Sequence, residues 1–118
     1  MSQDPSPVLD VEAALLHCAS KQDLMVRLLH KLCDIGTRDA DEILRAVEAR
    51  ETDEAARLGH RLKGSAAALG AERVREAAAA VETACKSGAE AQPLALELRE
   101  EIAELAQEIE SRFGTREG

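Results

Sequence analysis

The 118-residue chain sets 23 acidic residues against 15 basic ones, a net charge of −8, and its 45% apolar fraction contains one aromatic residue, Phe113. That length suits one domain, and with no run of Lys or Arg to meet a phosphate backbone, nucleic acid is not an expected partner. No stretch of 18 apolar residues is present, and Met1 to Asp10 lacks the basic start and apolar run of a signal peptide, so the expectation is a cytoplasmic monomer without a membrane partner. With 22 Ala and 15 Leu against 14 Val, Ile and Thr combined, the composition favours helix over strand. Cys18, Cys33 and Cys85 are odd in number and lack a Cys-x-x-Cys spacing, so reduced thiols serving as small apolar residues are expected.

Residues 1–7, with two prolines, read as a flexible leader, residues 8–113 as the folded bundle and residues 114–118 as a flexible tail. Asp10 is placed to cap a short helix over Val11 to Ala19, with Val11, Ala14, Leu15 and Cys18 on one face. A second helix is predicted over about Lys21 to Ile35, striped by Leu24, Leu28, Leu32 and Ile35 with Met25 and Leu29 alongside. Gly36 reads as its stop, and Thr37 as the cap of a third helix to Arg50 that turns Ala40, Ile43, Leu44 and Val47 inward. Thr52 or Asp53 caps a fourth helix to Leu69, which Gly70 closes in the left-handed conformation. A fifth runs over about Glu72 to Lys86, with Val74, Ala78, Val81 and Cys85 as its apolar row, and Ser87-Gly88 ends it. Pro93 suits the first position of a last helix to about Phe113, where Leu94, Leu98, Ile102, Leu105 and Ile109 repeat at helical spacing. Long helices joined by tight connections pack antiparallel, which predicts an all-α four-helix bundle with one or two short extra helices at its N-terminal end.

The fourth helix carries two faces. Ala55, Leu58, Leu62, Ala66 and Leu69 form an apolar stripe, while Ala56, His60, Lys63, Gly64 and Ala67 recur at three and four on another side. His60 therefore points outward on a strip of small side chains. Gly64, in mid-helix, costs about 1 kcal/mol relative to alanine, so a close approach to the backbone is expected there. An imidazole with its unperturbed pKa of about 6.5 keeps one ring nitrogen free as a nucleophile near neutral pH. Lys63, one turn ahead, would disfavour imidazolium and could pair with phosphoryl oxygens, and Arg57 and Arg61 flank the site and add positive field. Neither a Walker-type loop nor a kinase-type glycine loop is present to bind ATP, so a phosphoryl group would come from another protein.

The run from His60 to Ala71, His-Arg-Leu-Lys-Gly-Ser-Ala-Ala-Ala-Leu-Gly-Ala, resembles the signature H-x-L-K-G-S-x-x-x-L-G-A of histidine-containing phosphotransfer (HPt) domains. The order of helices resembles that family over about Val8 to Phe113. The resemblance implies that His60 takes a phosphoryl group from a receiver-domain aspartate and passes it to a response-regulator aspartate. It implies Lys63 as electrostatic support and Gly64 as the point of close approach. Ser65 matches the motif and is expected to lie partly toward the bundle. The family often places a polar residue on the next helix near the histidine, and Glu82 and Lys86 fall in that region; Glu82 would repel phosphate unless it faces a cation. Partners implied are receiver domains of a hybrid sensor kinase and of response regulators. No cofactor is implied for this chain, since Mg2+ belongs to the partner receiver, and the chain is expected to be a carrier and not an enzyme with its own ATP site.

Two other readings compete. The strip around His60 could bind a receiver without exchanging phosphate, making the chain a helical adaptor. His30 and Cys33 could supply metal ligands at helical spacing, although a zinc site usually needs four converging ligands and core packing accounts for them more simply. The acidic stretch from Glu97 to Glu110 reads as the wet face of the last helix.

Overall fold

A computed structural model of the protein describes residues 6–114. Five helices follow one another: α1 over Val11–His17, α2 over Gln22–Glu48, α3 over Thr52–Ala68, α4 over Glu72–Ser87 and α5 over Gln92–Phe113. Helix α2 packs on α3 and α5, and α4 packs on α3 and α5, so the four long helices close a ring, with α1 laid against α2 and α3. This is the expected all-α four-helix bundle with one short helix before it. Of the flexible segments expected at the two ends, residues 1–5 and 115–118 lie outside the described residues. Ser6 is bonded to α4, where its carbonyl accepts from Arg73 Nε at 2.7 Å.

The core is aliphatic throughout. Met25, Leu29, Ile43, Leu62, Leu98, Leu105 and Ile109 are its largest fully buried side chains, and at about 25 cal/mol per Å2 of apolar surface removed from water they supply much of the driving force for folding. The predicted rows of α3, α4 and α5 all face this core, except that Leu94 is only half-buried. On α2 the inward line runs through Met25 and Leu29, and Leu24, Leu28 and Ile35 flank it half-exposed. All three cysteines are free and buried.

Several of the expected helix boundaries move. The break at Gly36 is absent, and α2 runs unbroken for 27 residues. A Cβ at Gly36 would lie 3.4 Å from Ile102 Cδ1 and 3.6 Å from Leu62 Cδ1. The glycine is therefore where α2 presses against α5 and α3, and that packing offsets its poor helix propensity. Thr37 caps nothing; its hydroxyl donates back to the Cys33 carbonyl at 2.8 Å, the bond a mid-helix threonine makes. The N-cap of α3 is Glu51, ahead of both predicted caps, Thr52 and Asp53, and its side chain makes no capping bond. Pro93 falls just inside a helix that begins at Gln92.

Other punctuation stands where the sequence placed it. The Asp10 side chain accepts from Ala13 N at 3.1 Å, as an N-cap should. Gly70 has φ +69°, and a Cβ there would collide with the Asp10 carbonyl oxygen. In return the Gly70 carbonyl accepts the Asp10 N–H at 2.8 Å, which ties the start of α1 to the α3–α4 turn. Gly88 closes α4 in the left-handed region.

Candidate functional site

The site forms where α3 lies on α4, and a second glycine sets that distance. A Cβ at Gly59 would stand 3.2 Å from the Ala78 carbonyl oxygen and 3.7 Å from Glu82 Cβ, so the absence of a side chain at position 59 lets α3 lie this close to α4. The next residue, His60, projects from the rim of this contact with 68% of its side chain exposed, directly above Glu82, which is 7% exposed. Its Nδ1 lies 2.9 Å from Glu82 Oε2.

Glu82 collects three partners. Lys63 Nζ donates to Oε1 at 2.8 Å, Lys86 Nζ donates to Oε2 at 2.9 Å, and the imidazole shares that second oxygen. A buried carboxylate held by two ammonium groups stays ionised. The bonds from Lys63 and then Lys86, reinforced by His60, outweigh desolvation and pull its pKa down to about 2. An ionised carboxylate has no proton to give, so the hydrogen between it and the ring belongs to Nδ1. In the neutral ring, the lone pair is then on Nε2. The acid whose role was open in the sequence is thus the group that orients the imidazole, and it faces the cations that a phosphate would require of it.

The remaining predicted residues divide. Gly64 is exposed with nothing within 4 Å of a built Cβ, an opening one turn from the imidazole. Ala67 continues that open strip and Arg57 and Arg61 are exposed, but Ala56, expected on the same strip, is buried. It is the floor of a hollow of about 370 Å3 lined also by Asp53, Arg57, His60, Glu82 and Lys86. Arg57 is held by Glu54 through two bonds of 2.9 and 2.8 Å. Arg61 reaches across to the buried Asp39 of α2 at 2.8 Å, a pairing that sequence reasoning missed. Ser65 was expected to lean toward the bundle; it is exposed and lines a cleft with Arg38, Asp39 and Arg61. Lys63, expected to face the imidazole, meets it only through the shared carboxylate.

Among the described residues no group of three or more His, Cys, Asp or Glu gathers to hold a metal ion, so the alternative built on His30 and Cys33 lacks a ligand set. No helix among them is long and apolar enough to cross a membrane.

The family model of the Hpt domain matches residues 27–112. The chain belongs to the HPt domain family. Its fold is also that of a solved structure, the HPT domain from an Hpt sensor hybrid histidine kinase of Shewanella, with a TM-score of 0.75 and 18% identity over 94% of this chain and 97% of that one. The comparison with curated proteins gave no significant match. HPt domains are phosphocarriers and not kinases, and they exchange phosphoryl groups with receiver domains in two-component phosphorelays. Histidine phosphotransfer is accordingly the class of function to which this HPt domain belongs.

Proposed function

We propose that His60 is the phosphoacceptor and that Nε2 is the atom that carries the group. The observation behind this reading is the bond from Nδ1 to an ionised, buried Glu82, which leaves the nucleophilic lone pair on the nitrogen away from the bundle. Nε2 attacks the phosphorus of an aspartyl phosphate on a receiver domain. As the N–P bond forms, the P–O bond to the aspartate breaks and its electron pair returns to the carboxylate. The ring becomes an N-phosphorylated imidazolium, and Glu82 offsets its new charge at Nδ1. In the second half, the aspartate of a response regulator attacks the same phosphorus and the electron pair of the N–P bond returns to Nε2. Glu82 thus serves both directions, since it stabilises the cation that forms and that later leaves.

The opening at Gly64 supports close docking of a receiver, and the exposed small residue Ala67 extends the smooth strip along α3. The donor and acceptor are read as receivers of a hybrid sensor kinase and of a response regulator, with the Mg2+ of the reaction on the receiver. The test is incubation with a 32P-labelled receiver domain followed by acid treatment. The expected result is acid-labile label on the chain, lost in His60→Gln; equal labelling of His60→Gln would overturn the assignment.

A further inference from the structure

Three cations surround the imidazole within one helical turn or across the α3–α4 contact, and the geometry does not treat them alike. Lys63 holds Glu82 Oε1 by itself at 2.8 Å and is only 33% exposed. Lys86 shares Oε2 with the imidazole and is 67% exposed. Arg57 is 58% exposed on the opposite wall. The hollow beside the ring is lined by His60, Glu82, Lys86 and Arg57 over the Ala56 floor; Lys63 is not among its lining residues.

We infer that the phosphoryl group carried on Nε2 stands at the mouth of this hollow, with Lys86 and Arg57 as the cationic walls that meet it, and that Lys63 is a strut which holds Glu82 under the ring. The inference rests on the assignment of His60 as phosphoacceptor. Two exchanges make room for the group. Lys86 can leave Oε2 without releasing Glu82, because Lys63 keeps Oε1, and the imidazole then has Oε2 to itself just as the ring acquires positive charge. Arg57 exchanges a surface pairing with Glu54, of a kind worth about 0–1 kcal/mol, for a charge-assisted bond to a dianion. Asp53 also lines the hollow, and its carboxylate weakens the hold on a free anion without removing the pull of the two cations.

Phosphoramidate is the probe, because it labels without docking a protein. Nε2 forms a bond to its phosphorus, the P–N bond breaks and ammonia leaves. The dependence of the initial labelling rate of the full chain on phosphoramidate concentration separates the two roles. Lys86→Gln and Arg57→Gln are expected to raise the half-saturating concentration by about two- to fivefold each, with Lys86→Arg restoring it. Lys63→Gln is expected to lower the maximal rate and leave the half-saturating concentration where it was. A half-saturating concentration unchanged in Lys86→Gln and Arg57→Gln, or raised only in Lys63→Gln, overturns the assignment of the walls. Failure of the unsubstituted chain to label at His60 is a different result, which removes the phosphoacceptor reading beneath it.

Discussion

The two faces of α3 use the same residue for opposite ends. On the inward face Gly59 is hemmed in by the backbone of α4, and its missing side chain lets Glu82 come up beneath the imidazole. On the outward face Gly64 is surrounded by nothing, and its missing side chain leaves room for a visitor. A helix glycine clears space in both places. At Gly59 the neighbour is the packed helix α4, and at Gly64 the space is open, for the receiver proposed above.

Substitutions should separate the two. Gly64→Gln adds bulk only outside the bundle; thermal unfolding should stay near that of the unsubstituted chain, while transfer from a receiver falls by about tenfold or more, equivalent to roughly 1.4 kcal/mol on the transition state. Gly59→Ala works the other way, since the Ala78 carbonyl cannot yield as a flexible side chain would. Overpacking of this kind typically costs about 1–3 kcal/mol in denaturant unfolding, and transfer should slow as Glu82 is pushed from the ring.

A third experiment examines what the inward contact delivers. The folded-state pKa of Glu82 is depressed to about 2 from an ordinary 4.5, chiefly by Lys63 and then by Lys86. A depressed acid contributes stability that is complete above its unfolded pKa and is lost as pH falls toward the folded value. Unfolding midpoints measured between pH 4.5 and 2 should therefore fall more steeply for the unsubstituted chain than for Glu82→Gln. Equal slopes would show that the three-donor arrangement does not persist in solution. The smallest effect belongs to Gly36→Ala. The obstacle there is the tip of Ile102, which can shift, and the gain in helix propensity is about 1 kcal/mol, so the net change should be within about 1 kcal/mol of zero.

That last residue also shows where reading the sequence stops. Gly36 followed by Thr37 has every local mark of a helix end and a new cap, yet the helix continues because a neighbour 66 positions along the chain packs against it. The local rules hold at Asp10, Gly70 and Gly88, all of which stand at turns, because there the tertiary contacts agree with the local signal or are absent. The apolar rows of α3 to α5 were legible for the same reason, since burial follows periodicity along a single helix. What periodicity cannot give is the offset between one helix and the next. The bonds of His60 to Glu82 and of Arg61 to Asp39 each span 22 residues and two helices, and they depend on that offset. The histidine, lysine and glycine of the signature could be found as a linear string, whereas the carboxylate that sets the tautomer could only be placed in its neighbourhood.

The link between Asp10 and Gly70 bears on how the domain should be cut for expression. The family match begins at residue 27, but Leu9, Ala14, Cys18 and Met25 are all buried before it. A fragment trimmed to the matched boundaries would strip the cover from one end of the helix that presents the imidazole and remove the N–H that the Gly70 carbonyl accepts. The amino-terminal segment is therefore a cover on the turn that follows α3, and a fragment made for expression should begin ahead of Leu9.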